Sequence, residues 1–201
     1  MKLLKLSASP FVRKVVVTLH ETGQFDEVEM VTGANSVTEP DAELTALNPI
    51  GKIPALVRDD GATLYDSRVI TRYLSDRAGA GLYPDARIWD VLTLEATADG
   101  LLEAALSMVY ELRYRAPEIQ SQEWIEAQWL KVTRCLDALE ERWMSHLAGP
   151  LDAGQIAVGC ALGYLDLRHD DRNWRDGRPK LAAWEEKFSQ RPSMQATVPQ
   201  G

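Results

Sequence analysis

A proline stands at the mouth of the apolar run Ile53-Pro54-Ala55-Leu56-Val57, and that placement narrows what the surrounding chain can become. Proline has no N–H to give to a sheet ladder, so a strand accepts it only at its first residue or on an edge. Ile53 therefore sits where a loop becomes a strand. The following proline pushes it into an extended conformation, and its own N–H and C=O are left to meet a ligand. The whole stretch reads Asn48-Pro49-Ile50-Gly51-Lys52-Ile53-Pro54-Ala55-Leu56. Asp66-Ser67 follows it, ahead of Arg68-Val69-Ile70-Thr71-Arg72-Tyr73-Leu74, and reads as a helix N-cap where a carboxylate, a hydroxyl and unpaired N–H groups converge.

The first ~75 residues mix strand and helix patterns, whereas the rest carries helical spacing only, which favours two domains. Leu3, Leu4 and Leu6 make a short strand ended by Ser7-Ala8-Ser9-Pro10. Val12, Val15, Val16 and Leu19 then recur at helical spacing up to Gly23. The Val15-Val16-Val17 run favours strand, but a proline in the first turn and a glycine at the end tip it to helix. Glu27–Val31 reads as a second strand, and Gly33–Asn48 as irregular with one helical turn near Asp41–Leu47. Pro54–Arg58 and Thr63–Tyr65 read as strands joined through Asp59-Asp60-Gly61, a hairpin signal, and a helix runs from Ser67 to about Arg77. This β-α-β-α-β-β-α order is that of a thioredoxin-like layer.

The joint falls in Ala78-Gly79-Ala80-Gly81-Leu82-Tyr83-Pro84. The expected units are residues 1–78, an α/β domain, and 84–201, an all-α bundle. In the latter, Ile125, Trp129, Val132, Leu136, Leu139, Trp143 and Leu147 form one amphipathic stripe. Asp152 with Gln155 forms a capping box ahead of Ile156–Leu167.

A formal net charge of −8 argues against a nucleic-acid partner. No apolar run approaches the ~20 residues of a membrane span, and Met1-Lys2-Leu3-Leu4-Lys5-Leu6 lacks a signal peptide's apolar region, so a cytoplasmic protein is expected. Cys135 and Cys160 fall in helical patterns and read as reduced, buried thiols. Three scattered histidines suggest no metal site. Most of the six tryptophans are more simply core or interface anchors.

The Ile53-Pro54 and Asp66-Ser67 features, with Ser7-Ala8-Ser9-Pro10-Phe11-Val12-Arg13-Lys14 and the Asp152–Cys160 segment, resemble the cytosolic glutathione transferase family over nearly the whole chain. Among its members, the small bacterial transferases with Ser-Pro-Phe at the active-site turn are similar. The resemblance implies a cis peptide at Pro54, glutathione as co-substrate with no metal, and a homodimer that conjugates small electrophiles. It implies contacts to glutathione from Phe11, Lys52, Ile53, Asp66 and Ser67, and from Asp99 across the dimer face. Tyr110, Arg113 and Tyr114, with Arg115 nearby, would face the second substrate, a mixture that suits a carboxylate-bearing electrophile. Ser9 is the candidate for chemistry: at a helix N-terminus its hydroxyl can donate to a thiolate.

Each residue also has a plainer reading. Ser9 and the Asp66-Ser67 pair can be ordinary caps, Phe11 a core aromatic, Lys52 and Asp99 solvated charges, and the Tyr110 group a structural rim. A glutathione-dependent cis–trans isomerase and a non-catalytic binding protein on this fold remain alternatives.

Overall fold

The structure is a computed structural model and describes residues 1–33, 38–39 and 41–199. It divides into two compact units, Met1–Arg87 with Pro192–Gly201, and Ile88–Arg191. The division differs from the expected 1–78 and 84–201 at both ends. The connecting segment goes with the first unit because Tyr83 is buried there, its hydroxyl 2.7 Å from that of Thr71. The segment beyond Arg191 also returns to that unit.

The first unit runs β1 (Lys2–Lys5), α1 (Pro10–Glu21), β2 (Glu29–Thr32), α2 (Ala42–Leu47), β3 (Ala55–Val57) and α3 (Ser67–Ala78). The sheet order is β2-β1-β3, with β1 parallel to β2 and antiparallel to β3. Successive side chains of a strand point to opposite faces, and the central strand shows it. Leu3 packs with Val15 and Leu19 of α1, Ile70 and Leu74 of α3, and Leu56. Leu4 faces the other way, onto Leu44 of α2 and Ala55. Burial also decides α1 against its weak propensity: Val15, Val17 and Leu19 are fully buried, each such side chain contributing about 1.5–3 kcal/mol. The expected irregular segment Gly33–Asn48 falls partly outside the described residues.

The expected fourth strand, Thr63–Tyr65, shrinks to a single bridge. Leu56 and Leu64 exchange both backbone bonds at 2.9 Å, and the helix cap at Asp66 follows two residues later. A tight Asp-Gly hairpin does not form because the loop closes over Arg58, whose Nε donates to the Ala62 carbonyl at 2.9 Å. Gly61 makes this possible, since a Cβ there would lie 2.1 Å from an Arg58 guanidinium nitrogen.

The second unit comprises α4 (Ile88–Tyr114), α5 (Gln122–Ala138), a π turn (Leu139–Trp143), α6 (Met144–Leu147), α7 (Ala153–Arg168) and α8 (Pro179–Phe188). The stripe read as one helix is broken by the π turn, which turns Glu140 inward. Its carboxylate accepts from the N–H groups of Lys180 and Leu181 at the start of α8. Helix α7 is buried along most of its length, and Gly154 gives Leu94 of α4 room, since a Cβ there would meet Leu94 at 2.9 Å. Residues after α8 form α9 (Pro192–Gln195). Among the described residues no helix is long and apolar enough to cross a membrane. Cys135 and Cys160 are both unbridged.

Candidate functional site in the α/β unit

Strand register brings three chain segments to one end of the small sheet. The last β1–β3 pair is Leu4↔Ala55, so Ile53 and Pro54 extend β3 beside the point where β1 runs into the Ser9 turn. Leu64 pairs antiparallel with Leu56, so the chain reaches Asp66 at that same end. Neighbouring strands lie about 4.8 Å apart, so the strand ends that lead into the Ser9 turn and the α3 cap stand roughly 10 Å apart with Ile53 between them. Three extended residues span about the same distance.

Ser9 is the N-cap of α1, extended at φ −81° and ψ 120°, and its Oγ accepts from the Val12 N–H at 3.3 Å. A serine hydroxyl is one donor and two acceptors, and the cap uses only an acceptor. The two readings of Ser9 are thus compatible: the O–H remains able to donate to an anion at the helix start. No acidic residue occupies the first turn of α1, so the positive end of the helix dipole is not neutralised locally. Phe11, in that first turn, is half-buried.

The Ile53–Pro54 peptide is cis. The loop before it is organised by Asn48, a residue that pattern reading passed over. Asn48 is buried at 2 % exposure; its Nδ2 donates to the Lys52 carbonyl at 2.7 Å and its Oδ1 accepts from the Ile50 N–H at 3.0 Å. Gly51 closes the turn with φ +65°, a left-handed conformation that favours glycine. Asn-Pro is a turn-forming pair, which was the available signal. The Lys52 side chain stands exposed beside this loop.

Asp66 caps α3: Oδ1 accepts from the Arg68 N–H at 3.0 Å, and Oδ2 lies 3.3 Å from the Arg68 guanidinium. The Tyr65–Asp66 peptide is also cis. The Asp66 side chain is 54 % exposed, and a carboxylate has about four lone-pair sites, so acceptor capacity remains. Ser67, directly behind it, is buried.

Four candidates fall in the helical unit. Tyr110 and Tyr114 meet edge to face at 5.5 Å and the Arg113 guanidinium lies 5.9 Å from the Tyr114 ring. Burial, with Tyr114 adding to it and Arg113 opposing, pushes the Tyr110 hydroxyl up, so it stays a proton donor at neutral pH. Arg115 is instead paired with Glu111 at 2.9 Å. Asp99 stands eleven residues before Tyr110, roughly 16 Å along the helix. Asp99 is 4 % exposed, so the reading as a solvated helical charge is corrected: its side of α4 is packed, not wet.

Among the described residues no group of three or more His, Cys, Asp or Glu is arranged to hold a metal. A cavity of about 530 Å³ lies away from these residues, along α8. Arg175 at its edge is already held by Asp166 and Glu185.

A thioredoxin-like unit with a cis-proline at its sheet end, joined to a helical unit, defines the architecture of the glutathione-dependent transferases. The glutathione S-transferase N-terminal domain matches residues 8–77, and the C-terminal domain of the same name matches 122–187. Over nearly its whole length the chain is 34% identical to the uncharacterized GST-like protein YibF of Escherichia coli K12, covering 99% of this chain and 98% of that one. It is 31% identical to glutathione S-transferase 3 of Zea mays, covering 98% and 93%. A glutathione transferase family member from Pseudomonas fluorescens Pf-5, solved with bound glutathione, superposes with TM-score 0.96 at 48% identity, covering 100% of this chain and 99% of that one. The chain belongs to the glutathione S-transferase family.

Proposed function

We propose that this protein is a transferase that conjugates the glutathione thiolate to small electrophiles. The observation that carries the reading is the convergence of the Ser9 turn, the cis Ile53–Pro54 step and the Asp66–Ser67 helix start at one sheet end, over a span that fits a tripeptide. Glutathione would lie across the strands: its γ-glutamyl ammonium on Asp66 with Ser67, its cysteinyl backbone paired with Ile53, and its glycyl carboxylate toward Lys52.

The thiol then points to Ser9 and Phe11. A free thiol titrates near 8.5 and attacks only as the thiolate. The Ser9 hydroxyl and the N–H groups opening α1 stabilise the anion, and catalysis is thiolate stabilisation plus proximity to the electrophile. Ser9 donates a hydrogen bond and forms no covalent intermediate.

Tyr110, Arg113 and Tyr114 are the residues proposed to hold the electrophile, and their cation suits a carboxylate. A relative 46% identical was solved with S-(propanoic acid)-glutathione, a conjugate that carries a carboxylate on the sulfur substituent, which supports the same choice. The working form is a homodimer: Trp89 on α4 is 78 % exposed and Leu92 is also exposed in the single protomer, apolar surface of the kind partners cover. Asp99, buried in its own protomer, is the least supported member of the glutathione set. Titration with glutathione followed by assay against aryl halides and unsaturated acids tests the reading. Binding with turnover supports it, and absence of glutathione binding by the folded protein would sink it.

A further inference from the structure

The segment following the helical unit comes back to the α/β unit and is fastened along α1 at two points. At one end Ser193 Oγ donates to Glu21 Oε1, near the C-terminus of α1. At the other, Arg13 reaches out from the first turns of α1: Nη2 donates to the Met194 carbonyl at 3.2 Å and Nε to Thr197 Oγ1 at 3.4 Å. Arg13 and Glu21 are two helical turns apart, roughly 12 Å along the axis, so their long side chains reach from two levels of α1 onto the single helical turn that residues 193–197 form. Thr197 is fixed in turn by its own hydroxyl, which donates to the Ser193 carbonyl at 2.8 Å.

Arg13 is only 8 % exposed. A cation so deep is stable only while its donors are matched, and this segment supplies partners for two of its nitrogens. Its backbone meanwhile belongs to the active-site turn, since the Arg13 N–H closes the first helical bond onto the Ser9 carbonyl at 3.0 Å. One residue therefore grips the returning segment with its side chain and Ser9 with its backbone.

We propose that residues 193–197 act as a strap on α1 and that Arg13 is the positioning residue through which the strap sets the Ser9 turn. The chemical part of this rests on the glutathione reading above; the mechanical part does not. With the strap fastened, the Val12 and Arg13 N–H groups stay aimed at Ser9 Oγ and Ser9 O, holding the hydroxyl where a thiolate would sit. Unfastened, α1 shifts on the sheet and the donor geometry loosens. A displacement of about 1 Å can cost on the order of 10²-fold in rate.

The test uses Thr197→Val and Ser193→Ala, which leave Arg13 and Ser9 untouched, with Arg13→Ala and Arg13→Lys. Amide hydrogen exchange in the protein without glutathione reads the mechanical part. In Thr197→Val and Ser193→Ala, the Val12 and Arg13 amides should exchange on the order of tenfold faster, while amides of β1 and β3 hold their rates. With glutathione bound, the thiolate absorbance titration should move upward by about half a unit in Thr197→Val and further in Arg13→Ala, with Arg13→Lys between. Unchanged exchange at Val12 and Arg13 would overturn the strap. Faster exchange with an unmoved thiol titration would overturn its link to Ser9. If the unaltered protein binds no glutathione, the functional reading fails and the exchange experiment still decides the strap.

Discussion

Of the aspartates that cap helices, Asp66 in the α/β unit and Asp152 in the helical unit have opposite surroundings. Asp152 opens α7 with no exposed surface. Its Oδ1 accepts from the Gln155 N–H at 3.2 Å and its Oδ2 lies 2.7 Å from His146 Nε2. Gln155 completes the box and donates to the carbonyls of His146, Leu147 and Gly149. Asp66 opens α3 in the other unit with half its side chain in solvent and, among the described residues, only Arg68 on its carboxylate. A cap whose acceptor capacity is taken up by its own fold can only stabilise. A cap with capacity to spare, at a sheet end where strands converge, can also bind.

The largest effect expected from this contrast is at Asp152. Asp152→Ala removes a cap and a buried charge-assisted contact together, and should cost about 3 kcal/mol of unfolding free energy in urea titration. Any glutathione affinity of the fraction still folded should persist. A loss below about 0.5 kcal/mol, the level of a surface change, would break the contrast.

The same contrast explains how much was legible in the sequence. Asp152-Ala153-Gly154-Gln155 and Asp66-Ser67 both announce helix starts, because a cap is local chemistry written within four residues. The proline-headed strand and the Ser9-Pro10 turn were legible for the same reason, whereas the cis form of the Ile53–Pro54 peptide came only from the family resemblance. What failed to show was long-range. Nothing local says that Arg58 would fill the loop meant for a tight hairpin. Nor does anything local say that a π turn would hand Glu140 to α8, or that Asp99 would be packed. Arg13 reads as one charge on an apolar helix until the segment 180 residues later is seen to lie against it. Asn48 lay between, since Asn-Pro signals a turn but its burial, and so its hold on Lys52, depends on the packing around it.

The second prediction concerns the open cap. Asp66→Ala should weaken glutathione binding by about 2 kcal/mol, the loss of a hydrogen bond to a charged group at a half-exposed site, while stability falls by only about 1 kcal/mol. Isothermal titration beside urea unfolding separates the two. If stability falls and affinity does not, Asp66 is a structural cap like Asp152 and the distinction between them collapses.

Ser9 sharpens the contrast further, as a third cap with its O–H to spare. Ser9→Ala should slow turnover by about 1.5 kcal/mol, roughly tenfold, with glutathione affinity little changed and the lower limb of the pH–rate profile moved upward. An unmoved profile with near-normal turnover would transfer the thiolate to the N–H groups of the Pro10-Phe11-Val12 turn and leave Ser9 a cap alone.

The smallest effect should come from the helical unit, where titration ought to register as stability and not as chemistry. His169 closes α7 with its ring buried, Nε2–H donating to the Ala105 carbonyl at 3.0 Å, between the rings of Trp129 and Tyr164. Burial pushes its pKa down, the nearby Arg172 and Arg168 add to that, and the bond to Ala105 and the charge of Asp171 oppose it. The folded state thus resists a proton that the unfolded chain accepts near 6.5. Stability is full above that value and is lost as pH falls through it, until the depressed folded value is reached and the loss levels off. His169→Gln keeps an N–H for Ala105 and removes the titration. Urea midpoints at about pH 7.5 and about pH 5.5, on either side of the reference value, should therefore lie closer together in the variant than in the unaltered protein. The thiol titration of bound glutathione should be the same in both. A shifted thiol titration in His169→Gln would mean that the two units do not divide stability and chemistry as the two aspartates imply.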